Sequence, residues 1–312
     1  MHTPVLTKEI IEWLDPKPGE NFIDCTFGEG GHSFALLDVI GSNGKVLGIE
    51  VDPELYKKFQ QEGEIQNPSV IRSHSVADEK SKIQNRLLLV NDSYTNLKNI
   101  IAERNFGPVN GIVMDLGLSS WHFAESGRGF SFREDETLDM RYNPQTNSLT
   151  ALEIINSYTE EDIEKILKEY GEERFAKIIA RKIAEKRKEK PIRTTFDLVE
   201  VVWSALPSRF QRKKLHPATK TFQALRIAVN SEIENIKKGL VQAAEVLAKD
   251  GRIAVISFHS LEDGEVKRFF KRCQEINIFE IITKKPIIPG LDEISINPRS
   301  RSAKLRIAKK II

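Results

Sequence analysis

Twelve residues, Asn21 to His32 (NFIDCTFGEGGH), constrain this chain more than any others. Phe22 and Ile23 read as a short apolar strand that runs into a turn of Gly28, Gly30 and Gly31. The apolar run Phe34, Ala35, Leu36, Leu37 and Ile40 then reads as a helix. A strand that ends in glycines and restarts as a helix aims backbone N–H groups and a positive helix end at one spot. The glycines let a ligand approach the backbone with no Cβ in the way. A second apolar strand, Lys45 to Ile49, follows and ends at Glu50 and Asp52. An acid at the tip of the second strand is where a doubly wound fold holds the hydroxyls of a ribose. A nucleoside-containing cofactor is therefore expected.

The spacing narrows the choice. Gly28-x-Gly30-Gly31 is not the G-x-G-x-x-G of dinucleotide binding. Asp24 and Glu29 crowd the same turn, and two carboxylates repel a pyrophosphate. A cofactor carrying an amine and a sulfonium suits the turn better, which points to S-adenosylmethionine with NAD as the alternative. A tight connection with no ligand is the bland reading, and the acid-tipped second strand weighs against it.

The chain has 312 residues, room for one large α/β domain or one with a smaller domain inserted. Its net charge is only +2, so any affinity for nucleic acid must come from a local patch. Cys25 and Cys273 are far apart and match no metal spacing, which fits a reducing compartment. No apolar run approaches a membrane span, and MHTPVLTKEI carries no targeting pattern, so a cytoplasmic protein is expected.

Read in order, a short helix with Ile10, Ile11 and Leu14 stops at Pro16 and Pro18. Pro53 opens a helix after the second strand. Residues 63–85 are a polar excursion, with Val70-Ile71 as an extra strand candidate. A third strand, Arg86 to Val90, leads to Tyr94, placed either to stack on adenine or to be a buried aromatic. A helix over Leu97 to Arg104 and a strand over Gly111 to Asp115 complete a β-α-β-α-β-α-β series. Gly30, Glu50, Tyr94 and Asp115 should then gather at the C-terminal strand ends.

The stretch after Asp115 (LGLSSWHFAESGRGFSFREDETLDMRYNP) is too long and too aromatic for an ordinary connection. From Leu149 to Leu206 the apolar period is helical, in four helices, the last capped by Thr194 or Thr195. Lys177, Arg181, Lys182, Lys186, Arg187, Lys188, Lys190 and Arg193, then Arg209, Arg212, Lys213 and Lys214, form a basic run offset by Glu185 and Glu189. Such a run is either a solvated face or a contact for RNA. One long helix is expected from His216 to about Ala248, ended by Asp250-Gly251. A strand over Arg252 to Ser257, a short helix over Glu265 to Cys273 and two late strands follow, with the basic loop Asn297 to Ser302 between the last two.

The segments HTPVL, DCTFGEGGH, DLGLSS, RGFSF, LDMR, YGEERFAKIIARKI, HPATKTFQALRIAVNSE, ISFHSLED and NPRSRSAKLR together resemble one family, the bacterial 16S ribosomal RNA cytosine-N4 methyltransferases known as MraW. The resemblance covers nearly the whole chain in order. It implies a seven-stranded, mostly parallel methyltransferase sheet with an inserted all-helical domain. The expected division is 1–140 and 216–312 for the methyltransferase domain and 141–215 for the insertion, which would recognise substrate. It also implies methylation of the exocyclic amine of one cytidine in the decoding region of the small ribosomal subunit.

By the same resemblance Gly30, Gly31 and His32 form the cofactor loop, and Glu50 holds the ribose. Tyr94, Asp115 and His122 are implied as further cofactor contacts. Glu50 stands where the family usually has aspartate, Tyr94 where it has phenylalanine, and Trp121-His122 where Pro-Gln is commoner. A sulfonium is already a good leaving group, so no metal is expected. The lone pair on cytosine N4 is delocalised, so a group accepting from N4–H should help. Asp115 is the first candidate, with Asp139, Arg141 and His259 as candidates to hold or deprotonate the base. An Asp139–Arg141 loop clamp is the structural alternative. Phe130 or Phe132 is placed to stack on an extruded cytidine. The expected partner is 16S rRNA in the small subunit, with a homodimer left open and no membrane. A NAD oxidoreductase, an RNA-binding assembly factor without catalysis, and a small-molecule methyltransferase are the competing classes.

Overall fold

A computed structural model describes residues 4–62, 85–207 and 216–312. The 63–84 part of the polar excursion, with its Val70-Ile71 strand candidate, and the basic residues Arg209, Arg212, Lys213 and Lys214 lie outside them. The chain packs as two units, Met1–Gly117 with Ile233–Ile312, and Leu118–Glu232.

The first unit is built on seven strands: β1 (Asn21–Asp24), β2 (Lys45–Glu50), β3 (Leu87–Asn91), β4 (Val109–Asp115), β5 (Leu247–Ser257), β6 (Phe279–Ile281) and β7 (Lys304–Lys310). They lie in the order β3-β2-β1-β4-β5-β7-β6. The pairings β2–β3, β1–β2, β1–β4 and β4–β5 are parallel, whereas β7 runs antiparallel to both of its neighbours. This is a Rossmann-like sheet with one reversed strand.

Strand side chains alternate between two faces. Phe22, Val46, Val113 and Ala254 face one core with α1 (Thr7–Leu14) and α2 (Gly31–Val39). Ile23, Leu47, Ile112 and Ile253 face the other. There they meet α4 (Leu97–Arg104), α11 (Glu232–Val246) and α12 (Ser260–Glu275). The phenyl ring of Phe22 occupies the space a Cβ on Gly111 would fill, so β1 and β4 need glycine at that contact. Between β2 and β3 lies α3 (Pro53–Glu62), whose proline sits at the first helical position with Asp52 accepting from the N–H of Glu54 at 2.9 Å.

The second unit contains α5 (Ser120–Ala124), α6 (Ala151–Ser157), α7 (Glu160–Gly171), α8 (Ala176–Glu189), α9 (Thr195–Ala205) and α10 (Thr219–Asn230). Its core joins Ile154 and Ile155 of α6, Ile163 and Leu167 of α7, Ile179 and Ile183 of α8, Leu198 and Val202 of α9, and Phe222 and Leu225 of α10. Thr194 caps α9 in a reciprocal box with Asp197.

Two expectations are corrected. The unit boundaries fall near 118 and 232, outside 141 and 215, because Phe130, Leu138, Met140, Phe222 and Leu225 all pack into the helical core. The single long helix from His216 is two, α10 and α11, separated by Ser231 in the left-handed region (φ 49°). Leu247 also begins β5 earlier than expected, pairing with Val109 before the register shifts ahead of Gly111 and Arg252. Among the described residues no helix is long and apolar enough to cross a membrane.

Candidate active site

The first unit brings the tips of β1, β2 and β4 together through named hydrogen bonds. Gly30 caps α2 with φ 77°, a conformation that suits glycine, and a Cβ there would collide with Phe27 and Phe34. Pro4 lies on Gly31 in the same way, leaving no room for a side chain. The loop is braced by Glu50: its Oε2 accepts from the N–H of Gly28 at 2.8 Å, and its Oε1 from the N–H of Asp52 at 2.8 Å. Burial drives the Glu50 carboxyl up to about 8, against the pull of those two N–H groups and with help from the nearby Asp52 and Asp24 charges. Each oxygen keeps capacity for a further hydrogen bond, so the brace leaves the group able to meet a ligand.

Asp115 stands at the end of β4, and its backbone N–H donates to Thr26 Oγ1 at 2.7 Å. Its Oδ1 is buried with no hydrogen-bond partner among the described residues. Its Oδ2 lies 3.4 Å from Nε2 of His32, an ion-pair separation without hydrogen-bond geometry. Among the described residues neither ring nitrogen of His32 has a hydrogen-bond partner, although the residue is only 5% exposed. Burial pushes that imidazole down, yet the carboxylates of Asp115, Asp24 and Glu293 outweigh it and the pKa is raised. Asp24 is fully buried and accepts from Ser33 Oγ at 2.8 Å, its own pKa raised chiefly by burial.

Tyr94 follows β3, where Asn91 pairs with Glu50 and donates from Nδ2 to its backbone oxygen at 2.7 Å. The ring is half-buried, and one edge occupies the space above Gly239 of α11. Tyr94 therefore packs on the core from the same strand-end position expected for a base-stacking group.

His259 is the N-cap of α12. Its Nδ1 accepts from the N–H of Glu262 at 3.4 Å, and its Nε2 lies 3.2 Å from Glu262 Oε1. Glu262 Oε2 accepts in return from the N–H of Phe258 at 2.8 Å. Both ring nitrogens thus face one buried glutamate, an arrangement that organises a helix start.

The remaining candidates belong to the second unit. Asp139 grips Arg141 through Oδ1–Nε at 2.8 Å and Oδ2–Nη2 at 2.7 Å. Burial opposes ionisation of Asp139, but Arg141 prevails and holds its pKa below the usual carboxylate value. Arg141 also donates to the carbonyl of Asn147 at 2.9 Å, so the pair clamps its own loop. His122 is buried, with Nδ1 2.8 Å from Ser119 Oγ, amid the rings of Trp121, Phe130 and Tyr142. Phe130 stacks on Tyr142, and Phe132 stacks on His216. On α8, Glu185 contacts Arg181 and Lys182, Glu189 contacts Lys186, and Arg187 donates to the carbonyl of Ile155. Lys177, Arg181 and Lys188 remain exposed.

Sequence reasoning used Asp24 as a charge crowding the turn but missed Thr26 and Glu293. Thr26 lies inside the diagnostic turn, so proximity was the available signal; Glu293 is 261 positions from His32 and gave none.

The MraW methylase family matches residues 1–311. Ribosomal RNA small subunit methyltransferase H of Clostridium botulinum (strain Kyoto / Type A2) is 42% identical, with 99% of both chains covered. The protein of the same name from Sulfurihydrogenibium sp. is 43% identical over 99% of each chain, and that from Dictyoglomus thermophilum 42% over 99% of this chain and 97% of its own. A solved rRNA methylase from Streptococcus thermophilus aligns over 100% of this chain and 99% of its own at 11% identity and a TM-score of 0.44, a likeness too distant to add to these. With the family matched from end to end and the strand-tip cluster in place, this chain belongs to the MraW methylase family.

Proposed function

We propose that this methyltransferase transfers the methyl group of S-adenosylmethionine to the N4 exocyclic amine of one cytidine in the decoding region of 16S rRNA. The family match over residues 1–311 carries this reading, supported by relatives named for the small ribosomal subunit. The residues present fit the cofactor: a glycine turn that excludes side chains, a carboxyl group at the β2 tip with hydrogen-bonding capacity to spare, and buried polar atoms of His32 and Asp115 without hydrogen-bond partners among the described residues. Glu50 would hold the ribose hydroxyls, Tyr94 the adenine, and Gly30, Gly31 and His32 the loop side. When bound, S-adenosylmethionine supplies an electrophilic methyl group whose bonding electron pair leaves with sulfur.

The protein's part is positioning and proton handling. Asp115 is our candidate to accept from N4–H, which localises the nitrogen lone pair toward the incoming carbon. Once methylated, the amine is cationic and strongly acidic, so even a weak base suffices to take its proton, which then passes to solvent. The buried Oδ1 of Asp115 is the atom with acceptor capacity unspent. Holding the amine in line contributes through orientation. The Asp139–Arg141 pair holds its own loop and His259 holds the start of α12, and for His122 the aromatic packing favours a structural part. We assign RNA recognition to residues 118–232, with the exposed cations of α8 meeting phosphate, and place the enzyme in the cytoplasm with its substrate.

The test is transfer of tritiated methyl from S-adenosylmethionine to small subunits lacking the modification, followed by nucleoside analysis. Label in N4-methylcytidine is expected. Unlabelled subunits, with S-adenosylmethionine still bound by the protein, would overturn the ribosomal assignment.

A further inference from the structure

One short helix far along the chain reaches the cofactor loop by a route the reaction scheme does not use. In α13 (Leu291–Ile296), Glu293 accepts the backbone N–H of Leu6 at 2.8 Å. Leu6 sits in the left-handed region (φ 53°) as the residue before α1. Two residues earlier, Pro4 lies on Gly31, close enough that a Cβ on that glycine would fall 2.7 Å from the proline ring. The next residue, His32, pairs with Asp115 at 3.4 Å. Glu293 thus ties down the segment that covers the loop.

We propose that Glu293 is a positioning residue for the glycine loop: it fastens Leu6, and with it Pro4 over Gly31. The proposal rests on that loop being the cofactor site.

Two substitutions test it. Glu293→Gln keeps an oxygen that accepts from Leu6 N–H, whereas Glu293→Ala removes it. S-adenosylhomocysteine binding to the full chain is measured by calorimetry, with thermal unfolding followed beside it. Affinity should stay within about twofold of the wild type in Glu293→Gln and weaken about tenfold in Glu293→Ala, with both variants folded at the temperature of the titration. Full affinity in Glu293→Ala, or an equal loss in Glu293→Gln, would overturn the proposal. A wild-type chain that binds no S-adenosylhomocysteine would instead overturn the cofactor assignment, and the measurement needs no RNA.

Discussion

The hydroxyl of Thr26 accepts the backbone N–H of Asp115 at 2.7 Å, tying the turn after β1 to the tip of β4. The bond fixes where the Asp115 side chain starts and keeps a part-buried amide from being stranded. Thr26→Val keeps the shape and removes the acceptor. It should cost about 1–3 kcal/mol in urea unfolding and lower kcat about tenfold or more through misplacement of the carboxylate. Thr26→Ser should restore both, and wild-type kcat in the valine variant would show that this tie does not place Asp115.

Asp115 itself is expected to be needed for the chemistry and not for the fold. Asp115→Asn should lower methyl transfer by about 10²–10⁴-fold, with circular dichroism unchanged and S-adenosylmethionine still bound. Near-normal turnover would remove Asp115 from the mechanism.

Glu50 gives the protein a pH dependence with a definite sign. Its folded pKa of about 8 lies above the ordinary 4.5, so the native state keeps a proton that the unfolded chain has lost. Its contribution is therefore full below about 4.5 and fades as pH rises through about 8, at up to roughly 1.4 kcal/mol per unit. Wild type minus Glu50→Gln, compared in urea unfolding at several pH values between 5 and 8, should show this falling slope. The glutamine variant should also bind cofactor more weakly. A difference flat with pH would mean that Glu50 is ionised in the folded protein.

His259 offers a clean separation of helix capping from catalysis. Asn is a strong N-cap, so His259→Asn should keep both stability and activity, while His259→Ala should lose about 0.5–2 kcal/mol. If the asparagine variant folds normally yet loses activity a hundredfold, the imidazole has a chemical role that its capping geometry does not reveal.

The alternation Phe22/Ile23 and Val46/Leu47, and the glycine turn after them, made the first four strands legible, because strand burial has period two and glycine marks the special backbone. A cap at Thr194 or Thr195 was legible, and the reciprocal box with Asp197 shows it to be Thr194. The break at Ser231 was not legible. Serine carries no breaking signal comparable to glycine or proline, and the apolar period continues across it. At His259 the sequence held the answer in another form, His-x-x-Glu, which is a capping spacing as much as a catalytic cluster. The tie from Glu293 to Leu6 spans 287 positions and involves a backbone N–H, so no side-chain pattern announces it.

The reversed strand β7 has a consequence for how the sheet is assembled during synthesis. It lies between β5 and β6 although it follows both in the chain, and β6 pairs with no other strand. Until residues 304–310 have emerged, the outer edge of β5 is an open row of backbone donors and acceptors, and β6 has nothing to join. A ribosome stalled before that point would hold a nascent chain with four strands paired beside β5 and a sticky edge, and nascent chains of this enzyme should depend on chaperone cover until the seventh strand slides in.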